Sequence, residues 1–200
     1  MQKYYNKDLL EAGMDEAGRG CLFGRVYVGC VIWNNEDENE ITNQIKDSKK
    51  LKPSKREELF DYIISNCIDY SIQYAEASEI DNTNISNEVI KCMHKCIENL
   101  NIEPDFLLVD GNNFISYKNI PYKTVIDGDN KFISIAAGSI LAKVAHDRYI
   151  LDLCYKDPLL DEKYNLLSNK GYGTSNHIEG IKKNGITSMH RKTFGICSNY

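Results

Sequence analysis

The sequence predicts a mixed α/β fold, and three observations carry that reading. VYVGCVIW (26–33) and FLLVD (106–110) are short, almost wholly apolar runs of strand length, the second preceded by Pro104. Ile133, Ala136, Ala137, Ile140, Leu141 and Val144 recur at helical spacing, as on a core-facing helix. Strand-like runs come first and helical patterns are interleaved later, the order expected of a sheet flanked by helices. The chain has 200 residues, 42% hydrophobic and 26% charged, which suits one folded domain with a core of its own.

In chain order, LLEAGMDE (9–16) reads as a strand entering a Gly-rich turn, and VYVGCVIW as a buried strand after it. The acidic run NNEDENE (34–40) reads as a hairpin or loop tip. Ser54 and Glu57 have the spacing of a capping box opening a helix in PSKREELFDYII. YSIQYA (70–75) alternates like a half-buried strand, and a helix follows over about 85–100. FLLVD is a central strand buried on both faces, and YKTVI (122–126) a further strand leading into the long helix. Beyond Pro158 the chain turns polar, with a short helix near 175–183. The expected organisation is one domain over 1–200, with a core over about 1–157 and a helical C-terminal segment over about 158–200.

Several classes are excluded. No run approaches the ~18 apolar residues of a membrane span, and MQKYYNKDLLEAG lacks the apolar core of a signal peptide. The seven cysteines are an odd number and several sit in apolar runs, so they read as reduced, buried thiols in a cytoplasmic protein. Cys92, His94 and Cys96 invite a zinc reading, but Cys92 and Cys96 share a helix face while His94 points away. The net charge of -5 argues, at first sight, against a nucleic-acid partner. The charge is unevenly spread, however. Lys46, Lys49, Lys50, Lys52, Lys55 and Arg56 crowd against a single Asp47, and residues 163–200 carry six Lys/Arg against one acid, Glu179. Both stretches read as phosphate contacts, with Lys49 the leading candidate and Lys143 the next.

The acidic residues carry the chemistry. Asp15 and Glu16 end the first strand within MDEAGRG, Asp110 ends FLLVD before Gly111, and Asp129 lies in VIDGDNK ahead of the long helix. Adjacent strand residues face opposite sides, so Asp15 and Glu16 converge only where the strand gives way to a turn. Clustered carboxylates repel one another unless cations neutralise them, and hard oxygen ligands suit Mg²⁺ or Mn²⁺. Two such ions form the usual clamp for in-line displacement at phosphorus. Turn chemistry alone would also place Asp and Asn at these positions, and spacing does not separate Asp129 from Asp127.

The chain resembles the ribonuclease HII family through five blocks in family order. They are GMDEAGRG (13–20), DSKKL (47–51), VDGN (109–112), GDNKFISIAAGSILAKVAHDR (128–148) and KGYGTSNHIEGIKKNGITSMHRKTF (170–194). The resemblance implies an RNase H-like fold, a five-stranded mixed sheet flanked by helices, whose C-terminal segment completes the substrate groove. It implies that Asp15, Glu16, Asp110 and Asp129 are the catalytic and metal-holding carboxylates, which selects Asp129 over Asp127. It implies an endoribonuclease that needs two Mg²⁺ or Mn²⁺ ions. Such an enzyme cleaves the RNA strand of RNA/DNA hybrids and nicks duplex DNA 5′ to embedded ribonucleotides, leaving 3′-hydroxyl and 5′-phosphate ends. Gly18, Arg19 and Gly20 resemble the loop whose backbone reads the ribose 2′-OH. Tyr172 resembles the tyrosine that packs on the sugar beyond the junction, and Lys49 and Lys143, read above as phosphate contacts, fall within two of these blocks.

The chain departs from the family pattern at Cys21, Phe23, Arg25, Phe132, Gly138 and His146, none of them a carboxylate. His177 and His190 lie in family blocks without an assigned role. A monomer without membrane association is expected, and the tail GICSNY shows no sliding-clamp motif. Two rival readings are a hybrid-only ribonuclease H that needs several ribonucleotides and a catalytically idle hybrid-binding protein. The intact GRG and GYG blocks argue against the first, and the four carboxylates against the second.

Overall fold

Strand β1 (Glu11–Ala17) occupies the centre of a five-stranded mixed sheet with order β3-β2-β1-β4-β5 in the computed structural model, which describes residues 1–34 and 39–200. β2 (Val26–Ile32) runs antiparallel to β1 and to β3 (Asp69–Ala75). β4 (Phe106–Asp110) runs parallel to β1, and β5 (Tyr122–Val125) parallel to β4. Most of the acidic loop expected at 34–40 lies outside the described residues.

Helices cover both faces. α3 (Ile85–Glu98) packs Val89, Cys92, Met93 and Cys96 against Met14, Val28 and Cys30 on one side. On the other, α4 (Ile133–Lys156) and α1 (Pro53–Asn66) meet Val31 through Leu59, Ile63, Ala137, Ile140 and Leu141. All six residues of the expected helical stripe on α4 are buried. α4 lies unusually close to the sheet because glycines face each other across the contact. A Cβ on Gly138 would sit 2.7 Å from the Gly29 carbonyl oxygen, and Cβ atoms on Gly13 and Gly29 would overlap the α4 backbone. Gly138, one of the family departures, therefore serves a close helix–sheet approach.

Two expectations need correction. The Ser54–Glu57 capping box does not form: Pro53 takes the first helical position of α1, which suits its fixed φ, and places Ser54 inside the helix. Glu57 instead accepts from Arg148 Nε at 3.0 Å. A reciprocal box does form at α2 (Ala77–Asn82), between Glu76 and Glu79. Beyond Pro158 there are three α-helices rather than one, α5 (Leu159–Tyr164), α6 (Leu166–Asn169) and α7 (Ser175–Asn184), followed by a 3-10 turn over Gly195–Asn199. The three helices share a separate small core, in which Leu22, Phe23, Ile150, Tyr164, Leu166 and Ile181 pack together. Among the described residues no helix is long and apolar enough to cross a membrane. The seven cysteines are free and six are buried; Cys96 Sγ lies 3.5 Å from the Val28 carbonyl, while His94 Nε2 donates to Ile115 O, away from both thiols.

Candidate active site

Parallel pairing of β1 with β4 sets Met14 beside Val109, so Asp15 and Asp110 emerge side by side where β4 ends. β1 itself continues to Ala17, paired only with β2. Asp15 and Glu16 thus meet inside the strand rather than at its turn. They can do so because β4 stops at Asp110, leaving that flank of β1 open. Asp15 Oδ1 accepts from the Glu16 amide at 2.7 Å, and Ser139 on α4 hydrogen-bonds the same carboxylate. Asp110 Oδ1 accepts from the Gly128 amide at 2.7 Å, which ties β4 to the turn carrying Asp129.

A cleft of about 490 Å³ opens over these groups. It is lined by Asp15, Glu16, Asp110, the Gly18–Arg19–Gly20 loop, Lys49, Lys143 and Tyr172, nine of the ten residues expected at the site, together with Ser48 and Ser139. Asp129 is the exception. It is buried beside Asp110 and Asp47 and accepts from Asn130 Nδ2 at 2.9 Å. Asp127, by contrast, is exposed in a left-handed conformation with φ 53°, away from the cluster. Asp47, itself buried, is a fifth acid at the cluster, one that the sequence did not single out. Its side chain caps Lys49 N, 2.9 Å away, and it lies close enough to Asp129 to perturb it.

Burial, reinforced by the charges of Glu16 and Asp110, pushes the Asp15 carboxyl up to about 8. Burial with Asp47 and Asp110 pushes Asp129 up to about 6, and burial also raises Glu16 despite the Arg19 guanidinium beside it. Burial works against the Lys49 ammonium, yet Asp15, Asp129, Asp47 and Asp110 outweigh it and hold its pKa above the ordinary value. This all-oxygen, mutually repelling donor set fits hard divalent cations such as Mg²⁺ or Mn²⁺, whose charge would offset the repulsion. Among the described residues no three potential ligands yet converge on one point.

The remaining residues divide into those facing the cleft and those supporting it. Arg19 folds back on Glu16 at 3.2 Å and on Ser86 Oγ at 2.9 Å, leaving the loop backbone bare. Lys143 Nζ bonds Asp147 at 2.7 Å and lies 5.5 Å from the centre of the Tyr172 ring. The Tyr172 hydroxyl meets Cys21 and the Gly18 amide. Not every residue of the two basic stretches is available to phosphate. Arg56 donates to the Ser48 and Leu51 carbonyls at 3.1 and 2.7 Å and pairs with Asp147, while Arg191 is fully buried. Arg25, which flanks the loop in sequence, is held by Glu76 and sandwiched between Tyr74 and Tyr149.

A family model described as Ribonuclease HII matches residues 12–197. Curated relatives named ribonuclease HII include one from Parabacteroides distasonis, 44% identical over 96% of this chain and 94% of its own length. Another, from Caldicellulosiruptor bescii, is 45% identical over 91% of this chain and 84% of its own. Among solved structures, the ribonuclease H2 of Pyrococcus horikoshii OT3 superposes with a TM-score of 0.76 at 25% identity, covering 94% and 95% of the two chains. Ribonuclease HII in the PCNA complex from Archaeoglobus fulgidus gives 0.75 at 26% identity, covering 94% and 96%.

Proposed function

The chain belongs to the ribonuclease HII family of metal-dependent endoribonucleases, and on that premise we propose that it hydrolyses the RNA strand of RNA/DNA hybrids and nicks duplex DNA on the 5′ side of an embedded ribonucleotide. The observation that carries this reading is the single cleft that Asp15, Glu16 and Asp110 share with the Gly18–Gly20 loop, Lys49 and Tyr172. Asp15, Glu16, Asp110 and Asp129 would hold two Mg²⁺ or Mn²⁺ ions, which supply water activation and neutralise charge on the leaving 3′ oxygen. Lys49, already among the carboxylates, meets the scissile phosphate. The bare backbone of Gly18, Arg19 and Gly20 approaches the ribose closely enough to sense its 2′-OH. Tyr172 presents a ring face on which the next sugar, a deoxyribose, can pack.

Water is the nucleophile, because no side chain at the cleft is fitted for the role. Cys21 lies 3.5 Å from His146 Nε2, and His146 Nδ1 lies 3.2 Å from Asp147, an arrangement that resembles a thiol relay. However, Cys21 is fully buried and burial pushes its thiol up to about 12, so it stays protonated and inert. The products are a 3′-hydroxyl and a 5′-phosphate, and the enzyme acts as a monomer in removing ribonucleotides from DNA. The test is a duplex carrying one ribonucleotide, assayed beside a long hybrid with Mg²⁺ and with Mn²⁺. A nick 5′ to the ribonucleotide is expected. Efficient cleavage of the hybrid with no nick in the duplex would reduce the enzyme to a hybrid-only ribonuclease.

A further inference from the structure

Among the described residues Arg191 is the largest fully buried side chain, and no carboxylate there pairs with it. A buried cation without a counter-ion is costly unless other dipoles compensate it. Here the compensation is aimed at one loop. Nη2 donates to the Gly18 carbonyl at 2.8 Å, Nη1 to the Arg19 carbonyl at 2.8 Å, and Nε to the Gly24 carbonyl at 3.0 Å. The Arg191 amide also donates to Leu22 O at 2.8 Å, so the residue spans the loop from end to end.

The consequence follows from peptide geometry. In a trans peptide the C=O and the next N–H point in opposite directions, and this chain has no cis peptide among its described residues. Drawing the Gly18 and Arg19 carbonyls inward therefore turns the Arg19 and Gly20 amides outward. Neither amide has a hydrogen-bond partner among the described residues, and a Cβ on Gly20 would meet nothing within 4 Å. Both residues line the cleft, whereas Arg191 lies behind them. We propose that Arg191 is a positioning residue for ribose recognition: it fixes the two carbonyls so that the Arg19 and Gly20 amides face the 2′-hydroxyl of the nucleotide at the scissile bond. The proposal rests on the loop reading the ribose, as in the function proposed above. An apolar residue of similar volume would fill the space without orienting the peptides. A lysine would keep the charge and reach fewer of the three carbonyls.

The test compares wild type with Arg191→Lys, using melting temperature to score folding. Binding is measured with Ca²⁺, without turnover, to two duplexes that differ by one 2′-hydroxyl. In the folded variant the preference for the ribonucleotide duplex falls about tenfold while affinity for the all-DNA duplex stays within about twofold, as for loss of an oriented hydrogen bond. An unchanged preference, or an equal loss for both duplexes, overturns the proposal. If the variant does not fold, the wild-type ¹⁵N–¹H signals of Arg19 and Gly20 decide. They shift with the ribonucleotide duplex and not with the DNA duplex; identical responses to both overturn it. A wild type that prefers the ribonucleotide duplex yet does not nick it removes the junction-cleavage reading and leaves the role of Arg191 standing.

Discussion

Acid should unlatch the C-terminal segment through His177 and His190, both fully buried. Their hydrogen bonds fix the tautomers. His177 Nδ1 donates to the Tyr172 carbonyl at 3.0 Å, leaving its Nε2 an acceptor. His190 Nδ1 accepts from the Thr187 amide at 3.0 Å, so its Nε2–H donates to His177 Nε2 at 3.2 Å. A proton added to either ring sets two N–H groups against each other in a dry site. Accordingly, burial and the neighbouring His177 lower the His190 pKa to about 4 from 6.5, and burial lowers His177 as well. The folded state thus disfavours protonation. The stabilisation from His190 is full above the unfolded value and is lost as pH falls from about 6.5 toward 4. At ~1.4 kcal/mol per unit, that shift corresponds to about 3 kcal/mol, a large share of the 5–15 kcal/mol typical of a domain. Asp15 acts with the opposite sign: its raised pKa adds stability at low pH that is lost as pH rises through about 8. The contribution of His190 is therefore read as a difference. Urea unfolding of wild type and His190→Gln across pH 7.5 to 4 should show the wild type losing about 3 kcal/mol more than the variant. Parallel pH profiles, or a His190 ring signal titrating at its ordinary value, would refute the reasoning.

Asp110→Asn should reduce hybrid cleavage by about a thousandfold or more while leaving hybrid binding largely intact, measured by turnover beside Ca²⁺-supported binding. Retained cleavage would remove Asp110 from the metal-holding set. Lys49→Ala should weaken hybrid binding and lower the slope of log K against log salt by about one phosphate contact, measured by a salt titration. Gly29→Ala should lower stability by about 2–3 kcal/mol, a drop in Tm of about 5–10 °C by calorimetry, because its Cβ overlaps the Gly138 carbonyl.

The parts of this molecule legible in sequence are those whose signal is local. The α4 stripe follows a 3.6-residue period, β2 and β4 are largely apolar runs, and Asp110 ends β4 at the cleft, whereas Asp15 and Glu16 lie inside β1 rather than at the turn the sequence suggests. Asp129 and Asp127 could not be separated by spacing, since both sit on one turn. Three-dimensional placement separates them, because only Asp129 is buried against Asp110. What stayed illegible depends on contacts distant in the chain. Arg191 meets Gly18 across 173 residues, and a guanidinium in a basic run carries no mark that it will turn inward. Arg56 misled in the same way, meeting Asp147 across 91 residues. The Ser54–Glu57 spacing was a true local signal that lost to a stronger one, Pro53 at the first helical position. Asp47 looked like a lone acid among lysines until folding brought it beside Asp129.

Placement of the acids also depends on how closely α4 approaches the sheet. Gly138 allows the helix to rest on Gly13 and Gly29 with no side chain between, and the next residue, Ser139, hydrogen-bonds Asp15 and lies 3.0 Å from Ser48. Ser48 begins the turn that Asp47 caps and that presents Lys49 to the carboxylates. A displacement of α4 by a side chain's thickness would therefore be felt at Asp15 and, through Ser48, at Lys49. It would act on opposite charges whose spacing sets the field at the cleft. This coupling reconciles an acidic chain with a polyanionic substrate. The net charge of -5 is an average over the whole surface, whereas at the proposed site a substrate would meet carboxylates that divalent cations would neutralise, flanked by Lys49 and Lys143. The glycine seam belongs to the electrostatics of the site as much as to the core, because it fixes the distances over which those charges act.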